Sequence, residues 1–213
     1  MEPYWPPSTL RVNVAGLELR LPSEADIEEL SRVAAAGVHD PDEMPFLNAW
    51  TDGTPQERAH RIRQWCWRKL GEISPERWTL PFVVVVNGTV AGVQALGGVQ
   101  FPIRRHVATG SWLGQDFHGQ GYGTLMRSAA LHLAFAELGA LTAASAAFVS
   151  NKASAAVSRK LGYRPNGLDI DVVRGQRTVT ERFLLERDHW RSRGDIHVHG
   201  IEPCLALLGA THQ

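Results

Sequence analysis

The sequence predicts an α+β fold, in which short strands and amphipathic helices follow one another along the chain. An Asn87-Gly88 pair separates two apolar stretches, residues 80–86 and 89–100, and this pattern is typical of a β-hairpin. Residues 111–138 pass from a strand-like run through closely spaced glycines into a run with apolar residues at helical spacing. Strand and helix periods are therefore both present, and the strands include an antiparallel pair.

The composition fits one domain. The 213 residues are 44% hydrophobic, so we expect a single domain over residues 1–213, with an N-terminal arm at 1–9 and a C-terminal extension at 195–213. The formal net charge is zero, which gives no electrostatic reason to expect nucleic acid or an anionic membrane as a partner. Cys66 and Cys204 are too few for a disulfide framework, and we expect no metal. Apolar runs too short to cross a bilayer, and the lack of a signal-peptide pattern, predict a cytoplasmic protein.

The first part of the chain is predicted to form a strand or hairpin and then two helices. Residues 10–21 alternate around a turn at Ala15-Gly16. A capping-box-like helix start lies at Ser23, and a second lies at Thr54, which proline follows directly and glutamate three residues later. The second helix has a basic face made of Arg58, Arg61, Arg63, Arg68 and Lys69. We expect this face to be solvated, and the alternative is that it attracts a cofactor's phosphates.

Residues 37–50, which join these two helices, are rich in proline and acidic residues and are not predicted to be regular. They nevertheless carry Met44, Phe46, Leu47 and Trp50. A loop with so much apolar material is expected to pack over another part of the molecule. The alternative is that its aromatic side chains only cover the core.

Strands and helices alternate beyond the hairpin as well, after a connection at 101–106. The predicted elements are a strand at 108–114, the helix that follows the glycines, a strand at 141–149, a helix at 151–161, strands at 163–173 and 178–185, and a short helix at 187–194. The tail carries an apolar patch that is expected to pack on the body or on a second subunit. The sequence therefore leaves a homodimer as one of two alternatives.

Three glycines on alternate positions, Gly119, Gly121 and Gly123, lie directly before the central helix. Without Cβ atoms, their backbone N–H groups can turn outward beside the positive end of a helix dipole, which suits a phosphate or pyrophosphate. A purely structural turn is the alternative. No Gly-Lys-Ser/Thr ends this loop, so it is not a P-loop, and the misplaced first glycine excludes a dinucleotide-binding fingerprint.

The spacing His118-x-x-Gly121-x-Gly123 resembles the acyl-coenzyme A loop of the GNAT acyltransferases, whose pattern is Gln/Arg-x-x-Gly-x-Gly/Ala. Residues 151–154 and 158–163 resemble the second cofactor segment of the same family. The resemblance implies a GNAT fold, with a central, mixed, mostly antiparallel twisted sheet of about seven strands and helices on both faces. The segments VHDPDEMPF, GSWLG, GYGT and AVSRKLGYRPNG are similar to those of the ribosomal-protein-alanine acetyltransferase branch in actinobacteria, including a mycobacterial member that uses succinyl-coenzyme A.

The resemblance also implies the reaction. A neutral primary amine, on a protein N-terminus, a lysine or a small molecule, attacks the thioester of acetyl- or succinyl-coenzyme A directly. The residues implied to bind the cofactor are Trp112, Leu113, His118, Gly119, Gln120, Gly121, Tyr122, Gly123, Thr124, Asn151 and Ser154. Ser154 is also implied to protonate the departing sulfur, because Ser158 stands where many relatives have a tyrosine. The alternative is that Asn151 is only a helix N-cap and Ser154 a surface hydroxyl.

The general base is not evident. Members of this branch often have a glutamate where this chain has Ala108. The remaining candidates are Asp40 and Glu43, then His39, Asp116 or a chain of waters.

The resemblance places the acceptor under the loop that joins the first two helices. The residues implied to contact the acceptor or the acyl group are His39, Asp40, Glu43, Phe46, Trp50, Arg104 and Arg105. Arg104 and Arg105, with His106, are candidates to pair a succinyl carboxylate, and the alternative is that these cations are solvated. Two further classes of function stay open, a non-catalytic acyl-coenzyme A sensor and a self-assembling interaction module.

Overall fold

The computed structural model describes residues 4–210, which form one nine-stranded sheet in the order β7-β8-β6-β5-β4-β3-β2-β1-β9. The strands are β1 (Arg11–Val14), β2 (Leu17–Arg20), β3 (Arg77–Val86), β4 (Thr89–Val99), β5 (His106–Leu113), β6 (Thr142–Phe148), β7 (Arg164–Val173), β8 (Gln176–Glu186) and β9 (His197–His199). The helices are α1 (Glu24–Ala36), α2 (Pro55–Gly71), α3 (Phe101–Arg104), α4 (Tyr122–His132) and α5 (Lys152–Lys160). Among the described strands only β5 and β6 pair in parallel, so the sheet is mixed and mostly antiparallel, as expected.

Helices cover both faces of the sheet. Along β3, Val83 and Val85 pack with α1 and α2, whereas Phe82 and Val84 belong to the larger core that α4 covers. This division follows from the two-residue period of a strand, which sends neighbouring side chains to opposite faces. None of the helices between residues 4 and 210 is long and apolar enough to cross a membrane.

Local signals predicted several element boundaries correctly. Ser23 and Thr54 both form full capping boxes at the starts of α1 and α2. Asn87 and Gly88 have φ of 48° and 86° and turn β3 into β4. Asn151 is the N-cap of α5, and its side-chain oxygen accepts a hydrogen bond from the Ser154 N–H at 3.0 Å.

Other elements differ from the sequence prediction. The crossing after β4 contains the short helix α3, and the helix predicted at 187–194 is only a 3₁₀ turn, Arg187–His189. α4 is followed by a π-helical turn, Leu133–Glu137.

The tail packs on the body of the same chain. β9 pairs with β1, a long-range contact that three residues of sequence do not reveal. Leu205 and Leu208 are buried, and the indole N–H of Trp78 donates to the Leu208 carbonyl at 2.9 Å. At the other terminus Tyr4 is 99% exposed, so this aromatic side chain does not dock on the body.

A gap between β5 and β6 prepares the site. Their parallel pairing covers only the residues from His106↔Thr142 to Ala108↔Ala144. Both strands then continue, to Leu113 and Phe148, without pairing with each other. The backbone edge of β5 that faces β6 therefore has no strand partner over residues 109–113.

Candidate active site

A cavity of about 1020 Å³ lies at this gap, and it contains most of the predicted site residues. It extends from the glycine loop before α4, past the first turn of α5, to the loop over residues 37–53, which we call the roof loop. The predicted residues that line it are His39, Glu43, Phe46, Trp112, Leu113, His118, Gly119, Gly121, Tyr122, Gly123, Thr124, Asn151 and Ser154. Asp40, Trp50, Arg104, Arg105 and Gln120 do not line it.

The glycine loop presents a row of backbone donors. Gly119 and Gly121 have φ of 73° and 85°, which favours glycine, and open space surrounds the position of a Cβ at both. The His118 N–H donates to the Gln115 carbonyl at 3.0 Å, and the Thr124 N–H donates to Gly121 at 3.1 Å. Between them, the N–H groups of residues 119–123 have no acceptor within the described part of the chain. Such a cluster at a helix N-terminus is suited to a phosphate group.

The side chains of this loop fix its shape. The His118 Nε2 lies 3.0 Å from the Leu113 carbonyl, and the Gln120 amide donates to the Asp116 carbonyl at 2.7 Å. Both bonds connect the loop to the segment that precedes it. These two side chains therefore act on the loop itself, whereas its backbone faces the cavity.

The first turn of α5 forms the opposite wall. Asn151 is the N-cap of α5 and also lines the cavity, so the capping and binding roles are compatible. Ser154 is half-buried there, and its hydroxyl has no hydrogen-bond partner among residues 4–210. A serine hydroxyl can both donate and accept, so it is available to a ligand.

The roof loop packs over β5 through its aromatic side chains. Phe46 lies between His39 and Trp50, with ring-centre distances of 5.7 and 5.4 Å, and Trp50 contacts Trp112 of β5 at 5.3 Å. Aromatic pairs at these distances are favourable beyond their buried area. The apolar residues of this loop thus attach it to the edge of the cavity. Trp50 contributes to this contact although it does not itself line the cavity.

Two carboxylates of the roof loop have different positions. Glu43 lines the cavity and is exposed to solvent. The Asp40 carboxylate instead accepts a hydrogen bond from the Asp42 N–H at 3.0 Å, and its carbonyl accepts one from the Glu43 N–H at 3.0 Å. Asp40 therefore shapes the turn that carries Glu43. Asp42, which the sequence reasoning did not single out, also lines the cavity.

The arginines proposed for a succinyl carboxylate lie elsewhere. Arg104 and Arg105 belong to α3 and its end, and the Arg105 Nε donates to the Gly139 carbonyl at 2.9 Å. The neighbouring His106 bonds to the Thr142 hydroxyl at 2.7 Å, and burial lowers the pKa of its imidazole. None of the three side chains reaches the cavity.

Other candidate residues have structural partners. In the basic face of α2, Arg58 donates to the carbonyls of Ala34 and Ala35, and Arg63 pairs with Glu28. Burial raises the pKa of the Cys66 thiol to about 12, so this cysteine is a core residue and not a nucleophile. Within residues 4–210, no group of three or more His, Cys, Asp or Glu side chains is arranged to hold a metal ion.

Sequence reasoning missed one buried charge in the cavity wall, Arg127 of α4. Its guanidinium donates to the hydroxyls of Ser158 at 2.8 Å, Ser111 at 3.2 Å and Ser145 at 3.4 Å. One signal was available, because Arg127 is the only cation in the otherwise small and apolar run between Gly123 and His132. A charged residue within such a run is unusual in a buried helix.

Comparison with known proteins gives a consistent result. Residues 16–164 match the family model described as the acetyltransferase (GNAT) domain. Similar solved structures include Mycobacterium smegmatis RimJ in complex with coenzyme A disulfide, at 22% identity and a TM-score of 0.69, covering 88% of this chain and 91% of that one. RimL, a ribosomal L7/L12 alpha-N-protein acetyltransferase in complex with coenzyme A, has 19% identity and a TM-score of 0.64, with 83% and 97% covered. A GCN5-related N-acetyltransferase from Brucella melitensis has 22% identity and a TM-score of 0.66, with 84% and 80% covered. At these identities the structures show a shared fold.

Proposed function

This chain belongs to the GNAT acetyltransferase family, and we propose that it transfers an acyl group, acetyl or succinyl, from coenzyme A to a primary amine by direct attack. The single observation that carries the proposal is the cavity at the β5–β6 gap, which joins a phosphate-type loop to an open strand edge and a free serine hydroxyl. Each of these features serves one part of a coenzyme A thioester.

The cofactor is proposed to extend along the cavity. Its pyrophosphate accepts hydrogen bonds from the backbone N–H groups of residues 119–123, and its pantetheine arm runs along the open edge of β5 beside Trp112 and Leu113. Tyr122, Thr124 and Asn151 complete the walls of this channel. This arrangement leaves the thioester between β5 and the first turn of α5.

The chemistry needs an acid and a base on two sides of the thioester. We assign the acid to Ser154, whose free hydroxyl gives its proton to the departing sulfur, so that coenzyme A leaves as the thiol. The base is assigned to Glu43 in the roof loop, which takes the proton of the attacking amine, and Asp40 holds the turn on which Glu43 lies. A backbone N–H of β5 stabilises the oxyanion.

The acceptor is proposed to enter under the roof loop. His39, Glu43 and Phe46 line the cavity on that side, and the loop is held at two points. Its aromatic side chains pack on Trp112, and Asp52 pairs with Arg174 in the β7–β8 turn. RimL, which acetylates the alpha-amine of ribosomal protein L7/L12, favours an amine of a protein as the acceptor, although lysine and small-molecule amines fit the same chemistry.

The test is coenzyme A release measured over a panel of amines, with the wild type and Ser154→Ala. We expect amine-dependent release from the wild type, and a turnover lower by about a hundredfold in Ser154→Ala with unchanged coenzyme A affinity. Ser154→Thr, which keeps a hydroxyl, is the matched control. Binding of coenzyme A without release on any amine would instead indicate a sensor. A variant that loses affinity and not turnover would reduce Ser154 to a cofactor contact.

A further inference from the structure

Arg127 of α4 reaches the place where β5 and β6 stop pairing. Ser145 directly follows the last paired residue of β6, Ala144, and Ser111 lies three residues beyond the last paired residue of β5, Ala108. The Arg127 guanidinium donates to the Ser111 hydroxyl at 3.2 Å and to the Ser145 hydroxyl at 3.4 Å. One side chain from α4 therefore bridges the two strands where their backbone hydrogen bonds end.

The gap between these strands has a closed end and an open part. At the closed end, the Thr109 hydroxyl of β5 donates to the Ala144 carbonyl of β6 at 3.2 Å. Further along, neither strand pairing nor a direct side-chain hydrogen bond joins β5 to β6 within residues 4–210. Along the open part, the hydrogen-bonded connection between the strands therefore runs through Arg127.

The same guanidinium is connected to the helix that carries Ser154. It donates to the Ser158 hydroxyl at 2.8 Å, and that hydroxyl donates in turn to the Ser154 carbonyl at 3.2 Å. Ser158 is fully buried and does not line the cavity, whereas Ser154 lines it. The Ser158 hydroxyl is therefore not available to a ligand, and it links Arg127 to the first turn of α5.

This bridge is unfavourable for the stability of the protein. Arg127 is 5% exposed, it forms no ion pair with a carboxylate of residues 4–210, and its Nε has no acceptor there. Burial lowers the pKa of the guanidinium. A buried charge without an opposite charge costs free energy, and an apolar side chain of similar size is often as stable or more stable in its place. Stability alone does not explain this arginine, which points to a role in the site.

We propose that Arg127 is a positioning residue for acyl transfer, which fixes β5 and the first turn of α5 relative to each other on the two sides of the thioester. The inference rests on the proposed function, in which the thioester lies between these two elements and Ser154 protonates the sulfur. Alignment of the reacting atoms contributes strongly to the rate, so a small displacement of either element slows the transfer. Binding of the pyrophosphate at the glycine loop does not depend on the bridge.

Steady-state kinetics and calorimetric titration of the full chain test the proposal, with an amine that the wild type acylates. In Arg127→Met we expect kcat to fall by about tenfold, while KM for the amine and affinity for coenzyme A change by less than about twofold. The melting temperature should stay the same or rise, because an uncompensated buried charge is removed. A merely structural role would instead lower the melting temperature and leave kcat of the folded enzyme unchanged.

Further variants show how Arg127 acts. Ser158→Ala should lower kcat by itself, and it should lower kcat no further when it is added to Arg127→Met. Arg127→Lys keeps the positive charge, but a single nitrogen cannot span β5 and α5 as the planar guanidinium does, so kcat should stay near that of Arg127→Met. Ser128→Ala is the matched control, because Ser128 is the next residue of α4 and is buried without lining the cavity. Its kcat should equal that of the wild type.

The outcomes that overturn the inference are distinct from one another. A wild-type kcat in Arg127→Met removes the role of Arg127, and a wild-type kcat in Arg127→Lys assigns the role to charge instead of position. Additive losses in Arg127→Met and Ser158→Ala would show that the two residues act separately. If Arg127→Met does not fold, a wild-type kcat in Ser158→Ala overturns the inference. If the wild type releases no coenzyme A with any amine, the proposed function fails and the inference fails with it.

Discussion

The two ends of the cavity are built in different ways. At the glycine loop, backbone N–H groups without an acceptor among residues 4–210 face the cavity, and the side chains of His118 and Gln120 only hold the loop in shape. At Arg127 a single side chain supplies the donors, and hydroxyls from β5, β6 and α5 hold it in place.

The difference has a consequence for recognition. Backbone donors at a helix N-terminus bind any phosphate of suitable shape and are common to all coenzyme A thioesters. A buried guanidinium is specific, because its charge is strongly felt only where water is excluded. The loop should therefore set affinity for the cofactor, whichever acyl group the cofactor carries.

The largest expected effect concerns neither end but the roof loop between them. Glu43→Gln removes the proposed base, and we expect kcat/KM at neutral pH to fall by about a hundredfold while coenzyme A affinity is unchanged. Asp42→Asn is the matched control, since it lines the same cavity in the same loop. If both variants keep the wild-type kcat/KM, the amine's proton leaves through water.

A smaller effect is expected at the glycine loop, on affinity for coenzyme A. Gly121→Val should weaken binding of coenzyme A and of all its thioesters by about tenfold, because two or more backbone hydrogen bonds to pyrophosphate are disturbed. Gly88→Val is the matched control. Gly88 has φ of 86° against 85° for Gly121, with open space at both, so the backbone strain is the same. Equal coenzyme A affinity in the two variants would contradict the assignment of the loop.

The smallest expected effect is on the free energy of unfolding, and it should leave both ends of the cavity unchanged. Burial alone would raise the pKa of Asp26, but hydrogen bonds from Arg20 and Ser23 lower it below its ordinary value. A lowered folded-state pKa gives stability that is present above the ordinary pKa and lost as pH falls through the folded value. Asp26→Asn should therefore cost about 1 kcal/mol at pH 7, and clearly less at pH 3.

Chemical denaturation at the two pH values measures this difference, with cofactor titration as the control. Asp26 lies at the start of α1 and does not line the cavity. A change in coenzyme A affinity would show that α1 is coupled to the site.

The sequence predicted those features that are local. Ser23 and Thr54 indicate where α1 and α2 begin, because the side chain of a capping residue bonds to the backbone only three residues away. The Asn87-Gly88 turn likewise depends only on its own residues. The glycine loop belongs to the same class. Its donors are exposed by its own backbone, so its capacity to hold an anion could be inferred before any fold was known.

Features that depend on distant partners could not be predicted in this way. β9 is a three-residue strand that exists because β1 lies beside it. Arg127 is held by Ser111, Ser145 and Ser158, from three separate elements. Arg104 and Arg105 had the required charge near the correct strand, yet the short helix α3 carries them away from the cavity.

A crystal structure of the chain with coenzyme A tests the central claim most directly, because it shows where the cofactor lies in the cavity. We predict that pyrophosphate oxygens lie about 3 Å from backbone nitrogens of residues 119–123, and that the thiol end lies between β5 and the first turn of α5. Coenzyme A bound with its pyrophosphate away from the loop, or with its thiol outside the gap between β5 and β6, would contradict the account.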